Sequence, residues 1–362
     1  MNHFDAMGRA LELAWKGWGR VAPNPLVGAV VLQGDTVVAE GWHAEFGGPH
    51  AEAAALASAG PGARGATVVV TLEPCNHQGQ QPPCTEALIA AGVGRVIAAA
   101  PDPNPVAAGG AARLRSAGIP VEVGLRRAEA EAQNASFCHR WSGKPRPFVA
   151  LKLATSLDAR IADHSGHSRW ISGEEARDYV HWLRAGFAGI AVGGHTARVD
   201  NASLTVRGSV TPRRVPTRVV FSRHVELTPG LDLVRTAREI PTVLLTEVTG
   251  PSAHLADLED AGVRVHRVAS LADGLAALSL EGVDSLLVEG GGRLAGALLE
   301  AGLVDRYYWI QSPVWLGDKG IPAISGLAGT TLVEAERWSV VERRPLGQDT
   351  LLVVDREPCS PA

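Results

Sequence analysis

The chain has 362 residues, with 34 Lys and Arg against 38 Asp and Glu and a formal net charge of −4. At about 100–200 residues per domain this length predicts two or three domains with room for sizeable cores, and 46% hydrophobic with 20% charged residues is an ordinary globular composition. The mild acidity excludes a clustered basic footprint for nucleic acid, no apolar run reaches a membrane span, and Asn2, His3 and Asp5 lack the basic start of a signal peptide.

Residues 4–19 read as a helix, ended by Pro23-Asn24-Pro25. Leu26–Leu32 is an apolar strand, Gly34-Asp35 turns, and Thr36–Glu40 returns as its hairpin partner. His50–Ala59 is Ala-rich and helical, closed by Gly60-Pro61. Ala66–Leu72 is a β-branched strand delivering Glu73-Pro74-Cys75, followed by a helix over Cys84–Ala91 and a strand over Arg95–Ala100. Strand, helix and strand at this spacing make a parallel βαβ unit. A helix (Ala111–Ala117), a strand (Ile119–Val123) and a helix (Ala128–Cys138) complete a small α/β layer. Gly and Pro cluster with basic residues at Ser142–Pro147, which reads as a linker between domains at 1–143 and 147–362.

The chemistry of the first domain centres on His50-Ala51-Glu52, Pro74-Cys75 and Cys84. Zinc deaminases show this order: H-x-E, then P-C, then a second Cys. One imidazole and two thiolates fill three corners of a tetrahedral zinc site and leave the fourth for water, whose pKa the metal brings to about 7. A Glu that is not a ligand shuttles the protons, and Glu52 stands in that place. A strict helix turns about 200° between positions 50 and 52, so His50 must sit at the helix start or Glu52 must reach back. A structural site would need a fourth ligand, for which His43 and His77 are the candidates. Cys138 and Cys359 lie far from this cluster in sequence, and a reduced, cytoplasmic protein is the economical reading.

The second half again alternates strands and helices. Strands are expected at Phe148–Leu153, Phe187–Val192, Thr217–Phe221, Pro241–Leu245, Val263–His266, Val283–Glu289 and Arg306–Gln311, with more near the C-terminus. Helices are expected at Gly173–Ala185, Leu255–Ala261, Leu271–Leu278 and Arg293–Ala301. Between a strand and a helix lies Glu289-Gly290-Gly291-Gly292-Arg293, where glycines let backbone approach a ligand and the helix start attracts phosphate. Taken alone, a tight turn fits that motif equally well. Thr196 and Asp200 share a face if their segment is helical.

These motifs together resemble one family, the bifunctional riboflavin-biosynthesis deaminase–reductases. The deaminase half is carried by Pro23–Gly28, His50–Glu52, Thr71–Cys75, Pro82–Cys84 and Asp102–Pro105. The reductase half is carried by Lys152–Asp158, Ser168–Ser172, Leu204–Arg207 and Val288–Gly291. The resemblance implies a cytidine-deaminase-like three-layer α/β/α domain followed by a dihydrofolate-reductase-like α/β domain. It implies one zinc per chain on His50, Cys75 and Cys84, with Glu52 catalytic, and removal of the C2 amine of 2,5-diamino-6-(5-phosphoribosylamino)pyrimidin-4(3H)-one. NADPH would then reduce the ribosyl group of the product to ribityl. Asn24, Asp102 and Asn104 would recognise the deaminase substrate, although Asn and Asp beside Pro are also ordinary turn residues. Ala154, Trp170, Thr196, Asp200, Ser222 and the run Gly291, Gly292, Arg293, Leu294, Ala295, Gly296 and Ala297 would hold NADPH. Ser168, Arg184, Leu204, Arg207 and Glu289 would hold the reductase substrate, the arginines matching its phosphate. Lys152 would polarise or protonate near the opened sugar, or be paired structurally. A homo-oligomer, dimer or tetramer, is expected, with neither nucleic acid nor membrane as partner.

The chain departs from the family at several places. Gln80 and Gln81 stand where a basic residue and Thr are usual, Asn201-Ala202 where Asp-Pro is usual, and Ala159 where Gly is usual. A polynucleotide deaminase would share the zinc core but needs a basic, aromatic surface that this composition lacks. The remaining alternative is a deaminase whose C-terminal half is a degenerate reductase or binding module.

Overall fold

Asn2 opens the first helix by accepting a hydrogen bond from the Asp5 amide at 2.8 Å, a side-chain N-cap. The computed structural model describes residues 1–356, so Cys359 lies outside the described residues, as does the end of the second expected domain. The chain forms two compact units, Met1–Gly143 and a second beginning at Lys144. Among the described residues no helix is long and apolar enough to cross a membrane.

The first unit runs α1 (His3–Ala14), β1 (Gly28–Gln33), β2 (Thr36–Trp42), α2 (Ala51–Ala59), β3 (Thr67–Leu72), α3 (Cys84–Ala91), β4 (Arg95–Ala100), α4 (Gly110–Ser116), β5 (Val121–Val123), α5 (Arg127–Gln133) and α6 (Ala135–Arg140). Its sheet has the order β2-β1-β3-β4-β5. β1 is antiparallel to β2 and β3, whereas β3, β4 and β5 are mutually parallel. Successive residues of β1, β3 and β4 are buried, so both faces of the sheet are covered. Two expectations need correction. The helix expected over residues 4–19 stops at Ala14 and continues as one 3-10 turn, Trp15–Gly17. The helix expected over Ala128–Cys138 breaks at Asn134, whose side-chain amide pairs with both backbone groups of Leu26, accepting at 2.8 Å and donating at 2.9 Å. A buried Asn that closes the polar ends of a distant loop cannot also follow helical geometry undisturbed.

The second unit runs β6 (Phe148–Thr155), β7 (Arg160–Ala162), α7 (Glu174–Ala185), β8 (Gly189–Gly193), α8 (Gly194–Asp200), β9 (Thr217–Phe221), α9 (Asp232–Arg235), β10 (Thr242–Thr246), α10 (Ala253–Asp260), β11 (Arg264–Arg267), α11 (Leu271–Leu280), β12 (Ser285–Glu289), α12 (Gly292–Glu300), β13 (Arg306–Gln311), β14 (Ile321–Pro322), β15 (Ser339–Leu346) and β16 (Asp349–Asp355). The main sheet has nine strands in the order β11-β10-β9-β8-β12-β6-β13-β16-β15. From β11 to β13 the strands are parallel, and β16 and β15 close the edge antiparallel. β12 enters late in the chain between β6 and β8, so the carboxyl ends of β6, β12, β8 and β9 lie side by side. Ligands of open α/β sheets bind at that edge, where the strand order reverses.

Candidate functional site

The first unit brings His50, Cys75 and Cys84 together from three separate elements. His50 is the extended N-cap of α2, with ψ 163°, and Glu52 is the second residue of the helix proper. The chain therefore turns into the helix after the imidazole, which removes the angular conflict between positions 50 and 52. Cys75 follows β3, and Cys84 is the first residue of α3, its amide pointing at the Cys75 sulfur at 3.4 Å. The Nδ1 of His50 lies 3.3 Å from the Cys84 Sγ and 3.5 Å from the Cys75 Sγ. Zinc bonds of about 2.3 Å to sulfur and 2.0–2.1 Å to nitrogen, at tetrahedral angles, separate such atoms by roughly 3.5 Å. The donor set and its spacing fit zinc.

Charge makes the same point. Hydrogen bonding from Cys84 and His50 holds the Cys75 thiol well below its ordinary range, while the Cys75 sulfur and burial push Cys84 up. One thiolate thus opposes the other, and a divalent cation between the sulfurs removes that opposition. Closure as a four-ligand structural site by His43 is excluded. Its Nδ1 is engaged by the Pro49 carbonyl at 2.9 Å and its Nε2 by the Asn24 amide at 3.1 Å. His77 lies outside the converging group as well, which is the one cluster of its kind among the described residues.

Glu52, 3% exposed, faces a cavity of about 210 Å³ that also exposes Asn24, His43, His77, Gln80, Gln81, Asp102 and Asn104. Burial pushes the Glu52 carboxyl up to about 7. Burial also lifts Asp102 to about 6, against the hydrogen bond from the Asn104 amide. Asp102 and Asn104 serve as turn residues as well, each accepting from the amide two positions on. Turn chemistry and a place at the cavity are here one arrangement. Gln81 donates to the Gly47 carbonyl at 2.8 Å and so ties the motif loop to the segment after β2.

Glu73 was not singled out by sequence reasoning. Its carboxylate accepts from the Ala111 amide at 2.8 Å and the Asp102 amide at 3.3 Å, anchoring the start of α4 and the Asp102 turn beside Cys75. Its place before Pro74-Cys75 was the available signal, but its partners lie 29 and 38 residues away.

In the second unit the expected residues collect at the carboxyl ends of adjacent strands. Ala154 is near the end of β6, Glu289 ends β12, Ser222 follows β9, and Thr196 and Asp200 lie on α8, which is indeed helical. Gly290 and Gly291 have φ of 67° and 84°, and a Cβ on Gly291 would stand 3.1 Å from the Thr196 hydroxyl. The amides opening α12 are free of helix partners, and such a helix start fits the anionic phosphate chemistry that NADPH would bring. The rest of the run divides. Arg293 is exposed and Leu294 and Ala297 half-buried, but Ala295 is fully buried, and Cβ atoms on Gly292 and Gly296 would strike the Pro322 and Ser325 carbonyls at 2.5 and 1.9 Å. Ala295, Gly296 and the α-carbon of Gly292 pack against the protein, so helix packing by itself requires small residues at these positions.

Trp170 is 70% exposed, with Arg177 4.8 Å from its ring, so it is no core aromatic. Ser168 and Trp170 precede α7, and Asp200 holds Arg169 through its carbonyl at 3.0 Å. Asn201 takes the left-handed cap position after α8, φ 42°, and its side chain accepts from the Asp232 amide at 2.9 Å. Arg184 is not a solvated helix-end charge. It grips Glu289 through two hydrogen bonds of 2.5 and 3.0 Å and donates to the Thr205 carbonyl at 2.9 Å, while the Lys152 Nζ lies 3.6 Å from the same carboxylate. These two cations overcome burial and hold Glu289 down to about 2. Leu204 is buried with φ 49°, and the exposed Arg207 donates to the Ser203 and Thr205 hydroxyls.

Two family descriptions match the chain: "Cytidine and deoxycytidylate deaminase zinc-binding region" over residues 1–100 and "RibD C-terminal domain" over residues 147–352. A riboflavin biosynthesis protein RibD from Synechocystis is 39% identical over 350 residues, covering 95% of this chain and 94% of that protein. The Escherichia coli RibD is 39% identical over 376 residues, with 96% and 97% covered. The Thermotoga maritima deaminase/reductase structure superposes with a TM-score of 0.81 at 35% identity, covering 98% of both chains. Fold, metal-binding cluster and matches together define a bifunctional enzyme, a zinc-type deaminase joined to a reductase. The chain belongs to the RibD family and serves riboflavin biosynthesis.

Proposed function

We propose that the first domain deaminates 2,5-diamino-6-(5-phosphoribosylamino)pyrimidin-4(3H)-one at C2 and that the second reduces the ribosyl group of the resulting 5-amino-6-(5-phosphoribosylamino)uracil with NADPH. The carrying observation is the convergence of His50, Cys75 and Cys84 beside a buried Glu52 at the floor of one cavity. His50, Cys75 and Cys84 would hold one zinc, which supplies Lewis acidity that brings a water to a pKa of about 7. Glu52 would take the proton at its carboxylate oxygen and return it to the departing amine, from a buried position on the cavity wall. Asn24, Asp102 and Asn104 would orient the pyrimidine from the cavity wall.

In the second domain Ala154, Trp170, Thr196, Asp200, Ser222 and the first turn of α12 would hold NADPH, which supplies hydride to C1′ of the opened sugar. Glu289, kept ionised by Arg184 and Lys152, accepts hydrogen bonds from the substrate. Ser168 and Leu204 would line the same pocket. With Arg184 committed to Glu289, the substrate phosphate falls mainly to Arg207. A cytoplasmic homo-oligomer acting on small phosphoribosylaminopyrimidines, with neither nucleic acid nor membrane as partner, completes the reading.

The test is mass spectrometry of the product formed by zinc-loaded protein and NADPH. Amine-to-carbonyl exchange plus two hydrogens supports both steps. A deaminated, unreduced product overturns the reductase half, and an untouched substrate overturns the substrate assignment. Glu52→Gln should retain zinc and lose deamination by about 100-fold or more; undiminished turnover removes Glu52 from its role.

A further inference from the structure

The reductase half holds one polar group that the functions above leave unexplained. His181 lies on α7 three residues before Arg184, and residues at that spacing share a helix face. Its Nδ1 is buried without a hydrogen-bond partner. A buried orphan of this kind is destabilising unless a ligand or water meets it. The His181 side chain begins beside the segment that carries Arg207, since a Cβ on Gly208 would lie 3.8 Å from the His181 Cβ. Arg207 has hydroxyl partners, Ser203 and Thr205, and forms no ion pair with a carboxylate among the described residues. This stretch of the fold therefore holds a cation without a counter-ion and a nitrogen without a partner, next to a guanidinium already engaged by Glu289.

We propose that His181 is a ligand of the substrate's 5′-phosphate and works with Arg207. The assignment rests on the reading that Arg207 meets that phosphate. Burial and the two guanidinium groups of Arg184 and Arg207 hold the imidazole below its usual range, against the weaker pull of Glu289 and Asp178. The ring is thus neutral at physiological pH, with one N–H to offer a phosphate oxygen, and an arriving phosphate anion pulls it toward the charged form, in which both nitrogens donate.

The test is reductase kinetics of the full-length, zinc-loaded protein with NADPH and the phosphoribosylaminouracil, with inorganic phosphate as competing probe. His181→Leu should raise both KM and the phosphate inhibition constant about tenfold, as for loss of one charge-assisted hydrogen bond, with kcat within about twofold. His181→Asn, which places an amide near the former Nδ1, should recover most of the loss. An unchanged inhibition constant in His181→Leu, while Arg207→Gln raises it, overturns the role of His181 and leaves the phosphate reading standing. If neither variant changes it, the phosphate reading fails and His181 with it. Should His181→Leu not fold, His181→Asn against His181→Gln decides: tighter phosphate inhibition in the Asn variant supports the assignment, and equal constants overturn it.

Discussion

Gly110→Ala is predicted to weaken zinc binding without touching a ligand. Gly110 opens α4, where a Cβ would stand 1.8 Å from the Pro74 carbonyl oxygen and 3.2 Å from the Thr85 methyl. Cβ contacts essentially never fall below 3.0 Å, so helix and turn must part by about 1.2 Å. The Pro74 carbonyl belongs to rigid backbone, and it is bonded directly to the residue that carries one sulfur. Metal–ligand distances tolerate only about 0.2 Å, and α4 is also tied to Glu73 through the Ala111 amide. The overpacking costs about 1–3 kcal/mol, part of which falls on the metal site, so zinc retention against a chelator should weaken about tenfold or more. Deamination should fall in step. The reductase, assayed on the deaminated uracil with the same preparation, should keep its rate. Gly109→Ala is the control: φ is 90° but the space is open, so only backbone strain of about 1–2 kcal/mol results and zinc stays. A Gly110→Ala protein that binds zinc and deaminates like the parent would refute the reasoning.

Three further outcomes follow from particular side chains. Ala159 has φ 56°, held there by the Ser156 carbonyl and the Ala323 amide, so Ala159→Gly should stabilise the protein by up to about 1 kcal/mol in urea unfolding; a loss of stability would contradict strain at that position. Among the described residues no Lys or Arg lines the deaminase cavity, so Gln80→Lys should lower the deaminase KM for the phosphorylated substrate several-fold at low salt and progressively less as salt rises. An effect independent of ionic strength would count against a phosphate contact. Glu289 is held at about 2 in the folded protein against an ordinary 4.5, and a carboxyl lowered by folding stabilises fully above its unfolded value. The stability gap between parent and Glu289→Gln should therefore be greatest above pH 4.5 and close as pH falls toward 2, as followed by denaturant titration at each pH; a gap constant with pH would show that the carboxylate charge is not what matters.

What could be read from sequence was what local chemistry dictates. The strands β3 and β4 are continuous apolar runs, the α3 helix stops at Gly92 with φ 66°, and three metal-binding side chains sit where strands end or helices begin. The strand and helix-end signals are local, whereas the metal set was legible as ordered motifs whose outer members, His50 and Cys84, stand 34 residues apart. The parts that were misread or missed depend on partners far along the chain. Asn134 breaks a helix because Leu26, 108 residues earlier, needs its amide. Arg184 and Glu289 were both placed in the substrate pocket by the family resemblance, but their mutual pairing across 105 residues decides which donors remain for a ligand. The glycines of α12 show the same limit. Close approach by a phosphate and close approach by the 322–325 backbone demand the same missing Cβ, so the residue type alone cannot distinguish a cofactor cradle from a packing contact. Gly291, with its positive φ, meets only the Thr196 hydroxyl, whereas the Ser325 carbonyl alone already requires the missing Cβ of Gly296.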